Sequence, residues 1–153
     1  MRGALAGITG AAAMHAFRLL WESATRHEAQ RGIFGFDREA DIKSARMLNA
    51  MVRRRPIPDR EAERLGLALH YLYGAALGVG YGALAPRLPQ LGKALGLPLG
   101  AALWLVADEV PISAAGISNP LRRPPSSHAA ALCAHLLFGA VVRYSYRYEA
   151  VCS

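Results

Sequence analysis

Long apolar runs alternate with short polar ones along this chain, and one long polar run interrupts the series. Four stretches carry few charges over membrane-crossing lengths: Gly3–Trp21, Gly66–Ala85, Gly92–Ile112 and Ser127–Tyr144. About 20 mostly apolar residues match a hydrocarbon core of about 30 Å. The pattern therefore predicts an all-α fold, an integral membrane four-helix bundle. It forms one domain over residues 1–153, with a long, partly helical extramembrane segment over residues 22–65.

Within each stretch, small residues recur every fourth position and lead to a polar one. The first has Gly3, Gly7, Ala11 and His15; the second His70, Gly74, Gly78 and Gly82. The third has Gly92, Gly96, Gly100, Trp104 and Asp108, and the fourth places His128, Ala131, His135 and Gly139 on one face. Small residues at this spacing let helix backbones approach closely, the main packing device in lipid. Gly74, Gly78, Gly82, Gly96, Gly100 and Gly139 are the expected helix-packing positions. Packing does not explain why each row ends at a polar residue. Ionisable groups in a bilayer are costly, face bundle interiors and often mark function.

The polar segment has its own periodicity. Asp37 can cap a helix running to about Val52, with Ile42, Ala45, Leu48 and Val52 on one face, resting on the membrane surface or on the bundle ends. Pro56 ends it. A second helix starts at Pro58–Asp59 and runs into the second apolar stretch, with Asp59 as N-cap and Glu61 and Glu63 in its first turn.

Connectivity then sets depths. His15 lies roughly 9 Å inside the face where the first helix exits, and His70 roughly 6 Å inside the same face. Asp108 and Glu109 fall within about a turn of it, His128 at the boundary and His135 roughly 12 Å in. His15, His70, His135, Asp108 and Glu109 thus form an expected polar intramembrane cluster, opening toward the side of residues 22–65.

Charge orients the bundle. The mean hydropathy is only +0.17 because Glu22–Arg64 holds 18 of the 29 charged residues. The net charge of +7 could suggest nucleic acid, but the cations sit at helix ends and loops, so the bilayer and not nucleic acid is the expected partner. The long segment and the Ser118–Ser127 turn hold 12 Lys/Arg, against five at the other face: Arg2, Arg87, Lys93, Arg143 and Arg147. The positive-inside rule places the 22–65 segment in the cytoplasm. The N-terminal run continues through Phe17, Leu19, Leu20 and Trp21 with a Leu-poor core, and reads as a retained helix, not a cleaved signal. Cys133 reads as a small packing residue, and Cys152 lies one residue from the end.

The runs Leu69-His70-Tyr71-Leu72-Tyr73-Gly74 with Gly78 and Tyr81-Gly82, Leu103-Trp104 with Asp108-Glu109, Pro111, Gly116-Ile117-Ser118 and Pro120, and Ala134-His135-Leu136 with Gly139 resemble the YagU-like bacterial inner-membrane proteins, a domain family of unknown function. The similarity covers most of Leu69–Val142; the short, arginine-rich third loop departs from the pattern. The resemblance implies a multi-pass protein of the bacterial inner membrane and supplies no reaction.

Three functions compete. The first is proton, ion or small-solute handling through the His/carboxylate cluster, since imidazole changes charge near neutral pH. The second is haem binding, with His70 and His135, or His15 and His70, as axial ligands. The third is a structural or assembly role, through homo-oligomer or membrane-complex contacts of the Gly-rich faces and the basic Arg53–Arg55 segment. An enzyme is not expected: GxSxG, Walker, HExxH and CxxC motifs are missing. The metal content stays open, zinc on His and carboxylates being possible chemistry.

Overall fold

The computed structural model describes residues 1–25, 38–53, 56–109 and 125–151. Among these, every regular element is helical. They are α1 (Arg2–Ala24), α2 (Arg38–Arg53), α3 (Asp59–Leu84), α4 (Leu97–Leu103) and α5 (Pro125–Val151). Two 3₁₀ turns, Pro89–Gly92 and Ala94–Gly96, precede α4, and a π-helical turn, Trp104–Glu109, prolongs it. Three helices are long and apolar enough to cross a membrane: α1, α3 and, within α5, Pro125–Tyr148.

Small side chains hold the interior and large ones the exterior. Ala6, Ala11, Ala130, Ala134 and Val142 are buried, as are Gly7, Gly10, Gly74 and Gly78. Phe138, Tyr81 and Leu99 complete this core. Facing out are Leu5, Ile8 and Leu20 on α1 and Leu72 and Val79 on α3, with Leu20 69% and Leu72 67% exposed. Water would penalise that distribution, whereas lipid tails are as apolar as leucine and leave close backbone packing to hold helices together. Helices apolar all round suit such a surrounding.

α1 packs against both α3 and α5. A Cβ added at Gly3 would meet the backbone of Gly78 and Val79, and one at Gly7 the backbone of Gly74 and Gly78. Gly10 faces Phe138 and Val142, while Gly82 faces Tyr146. Rising numbers on α1 meet falling numbers on α3, while α3 meets α5 in rising order (Gly74 with Phe138, Gly82 with Tyr146), so α1 runs antiparallel to both. α4 packs on α5, with Gly96 and Gly100 against Gly139 and the backbone of His135 and Leu136. This pairing too is antiparallel.

The third apolar stretch differs from the expected unbroken helix over Gly92–Ile112. Gly92 belongs to a 3₁₀ turn, and Ala94, Leu95 and Gly96 all have positive φ, at 45°, 61° and 85°. The α-helix begins at Leu97, with Pro98 in its first turn, where the missing N–H costs nothing. The apolar helical part, Ala94–Val106, is shorter than the three long helices. The Val110–Ile112 end of the expected stretch lies outside the described residues.

α2 packs on the first turns of α3, forming a helical hairpin around Pro56. Of the expected face Ala45 is buried and Ile42 half-buried, whereas Leu48 is 40% and Val52 72% exposed and Asn49 is buried, so the packed face is shifted toward Asn49. Small residues win that contact because Ala62 and Gly66 on α3 are themselves fully packed and leave room only for a close approach. Arg46 pairs with Asp59 across the hairpin, but both are exposed, and such pairs add little. Asp59 stands inside the first turn of α3, not at the cap; Pro58 holds that position, and Asp59 and Glu61 favour the helix N-terminus through its dipole. Cys133, expected to pack, is exposed as a free thiol.

Candidate functional site

The histidines sit at matched depth. His15 is nine residues before the end of α1 at Ala24, His70 eleven after the start of α3, and His135 ten after the start of α5. At about 1.5 Å per residue these are roughly 14–17 Å from one shared end of the bundle. The sequence-based depths count from the ends of the apolar stretches and these from the helix ends; both put the three histidines in the half of the helices on the side of residues 22–65.

His15 and His70 face each other across the α1–α3 contact, with ring centroids 6.5 Å apart and planes tilted by 50°. Tyr71 joins them, 6.4 Å from His15 and edge-on to His70 at 5.8 Å. The His70 Nε2–H donates to the Ala11 carbonyl at 3.3 Å, since a carbonyl only accepts. Ala11 allows the approach because it carries no more than a methyl group on the row that began with Gly3 and Gly7.

Two cavities meet at His70. The outer one, about 240 Å³, is lined by His15, Arg18, Leu19 and Glu22 of α1, Ile42 of α2, and Glu63, Leu67 and His70 of α3. It brings two imidazoles, one guanidinium and two carboxylates into a crevice on the α2 side of the bundle. The inner one, about 60 Å³, lies between α1, α3, α4 and α5, with Met14, Tyr73, Leu103, Phe138, His70 and His135 in its wall. It has room for a water or two. The His135 Nδ1–H donates to the Ala131 carbonyl one turn back, at 2.9 Å, leaving Nε2 as the nitrogen that can take up a proton.

Of the residues singled out in the sequence, the structure thus joins His15 to His70 directly and His70 to His135 through the inner cavity. Asp108 and Glu109 end the π-helical turn, and their side chains lie outside the described residues. π-Helical turns are rare and frequent at functional sites. Glu22 and Glu63 were not among the expected cluster, although their spacing carried the signal. Arg18 and Glu22 follow His15 by three and seven residues, and Glu63 precedes His70 by seven, which puts each on its histidine's helix face.

Bis-histidine haem requires a flat slot between two imidazoles. The space shared by His70 and His135 is about 60 Å³, and each ring is already tied to a backbone carbonyl, so these residues do not fit the macrocycle. Among the described residues, no three His, Cys, Asp or Glu side chains converge to hold a metal ion.

No protein-family model matches this chain, and comparisons with curated proteins and with solved structures found no significant similarity. The site is therefore read from its own chemistry.

Proposed function

We propose that this chain is a small multi-pass protein of the bacterial inner membrane, a four-helix bundle with residues 22–65 in the cytoplasm. In this reading α4 and the residues after it supply the fourth helix. The protein moves protons or a small polar solute between the cytoplasmic crevice and the bundle interior. The observation that carries the reading is that His70 lines both cavities, with His15 on one side and His135 on the other. Imidazoles arranged in series accept a proton on one nitrogen and release one from the other, and ionisable chains of this kind recur in membrane proton pathways. Glu22, Glu63 and Arg18 set the electrostatics of the entrance.

Reconstitution into liposomes containing a pH-sensitive dye tests it. Under an imposed potential, wild-type protein should acidify the lumen faster than empty liposomes, and His70→Ala should abolish the difference while the protein remains folded. If wild-type and empty liposomes match for protons and for a panel of small cations, the reading fails. If His70→Ala keeps full flux and loses only about 1 kcal/mol of stability, as membrane hydrogen bonds do, the histidine is a packing residue.

A further inference from the structure

The end of the bundle away from the histidine crevice is cationic, and among the residues whose side chains are described it holds no carboxylate. The sequence has no Asp or Glu from residue 1 to 21, from 65 to 107 or from 128 to 148. At this end Arg143 of α5 lies half-buried beside the turns between α3 and α4, and its Nε–H donates to the Gly92 carbonyl at 3.1 Å. That bond fixes the guanidinium while leaving its terminal nitrogens unpaired among the described residues. Tyr81 of α3, only 2% exposed, packs edge-on against Tyr146 at 5.4 Å, and its hydroxyl has no hydrogen-bond partner among the described residues.

The two groups converge on one notch. A Cβ at Gly92 would stand 3.1 Å from the Arg143 Cζ and 3.1 Å from the Tyr81 hydroxyl, so the absent side chain is what admits both. Lys93, next in the chain, is exposed. Around the turn, Leu88, Leu95 and Leu97 present apolar side chains outward, Leu95 at 78% exposure. Exposed leucines beside cations are the arrangement expected where acyl chains give way to head groups.

A partly desolvated guanidinium without a counter-ion among the described residues and a buried hydroxyl without an acceptor among them are each unfavourable. One group relieves both: a tetrahedral oxyanion, which accepts paired bonds from the guanidinium and offers further oxygens to the hydroxyl. We infer that Arg143, Tyr81 and Lys93 hold a phosphate group, as a phospholipid head group or as free inorganic phosphate. The site is independent of the histidine crevice.

The test uses the full chain, delipidated in a phosphate-free maltoside detergent. Phosphatidylglycerol or inorganic phosphate is titrated in, with bound mass read by native mass spectrometry and melting temperature in parallel. Wild-type protein should retain one phosphatidylglycerol per chain and melt at a higher temperature. Arg143→Gln and Tyr81→Phe should each weaken binding about tenfold or more, Arg143→Lys less, and Arg147→Gln, at an exposed position one turn on, should not. Saturation by inorganic phosphate without lipid retention assigns the same site to the free ion. Tyr81→Phe keeps the ring and its packing, so it decides the matter even if Arg143→Gln misfolds. Binding of neither probe by the wild type, or unchanged binding by Tyr81→Phe, overturns the inference.

Discussion

α3 and the stretch Pro89–Glu109 carry glycines at the same four-residue spacing, Gly74, Gly78 and Gly82 in one, Gly92, Gly96 and Gly100 in the other. α3 is a single 26-residue helix; the other breaks into two 3₁₀ turns, seven α-helical residues and a π-helical turn. A Cβ at every one of these glycines would come within 4 Å of another backbone except at Gly92, where it would meet the side chains of Arg143 and Tyr81. What separates them is the rest of the sequence: no proline stands between Asp59 and Ala85, whereas Pro89 and Pro98 bracket the broken part. Glycine spacing therefore marks where two backbones come close, and says little about whether the helix carrying it is continuous. In the broken stretch the close approach is made by left-handed backbone at Gly96, which packs against the Gly139 carbonyl and the Arg143 Cβ.

Substitutions can break that comparison. The largest effect is expected at Gly78, where a Cβ would stand 2.6 Å from the Gly7 Cα and against the Gly3 carbonyl. Gly78→Leu must part α1 from α3 and should cost 1–3 kcal/mol or more, the usual range for overpacking. Equilibrium unfolding in mixed micelles measures it, and wild-type stability would show that α1 does not pack there. A smaller loss, about 1–2 kcal/mol, is expected for Gly96→Ala, because an L-residue resists φ near +85° and its Cβ would meet α5. If Gly96→Ala proves neutral, the helix starts earlier than Leu97 and the broken stretch is continuous after all. The smallest effect, and the opposite sign, belongs to Gly80. Nothing lies within 4 Å of a Cβ there, so Gly80→Ala should be neutral or up to about 1 kcal/mol stabilising, measured in the same titration. A clear loss would mean that this face of α3 is covered.

The long helices were legible because length and apolarity are local properties of a sequence. α2 was legible as a helix, but its inner face was not. Hydropathy puts Ile42, Ala45, Leu48 and Val52 on one face; the backbone-close contact with α3 keeps Ala45 but buries the polar Asn49 in place of Leu48 and Val52. The break before α4 had its signals, Pro98 and Gly96, yet Ala94 and Leu95 in left-handed conformation answer to tertiary packing and leave no mark on the chain. The meeting of His15 and His70 followed from helix order and depth. That Glu22 and Glu63 share the crevice while His135 lies behind His70 depends on helix rotation, which the spacing of polar residues encodes only once the neighbours are known.

α1 lies between α3 and α5, and this has a consequence for biogenesis. α1 is made before both of the helices it packs between. α3 can dock on its Gly3–Gly7 edge early in synthesis, but the Gly10 edge waits for Phe138 and Val142, about 130 residues later in the chain. Until α5 is made, α1 thus displays an open glycine groove, which in the proposed membrane setting is a seat for any small-residue helix that arrives first. Arrival of α5 is the step that ends this vulnerability, and a chain stalled before residue 125 is the form that quality control has most reason to recognise.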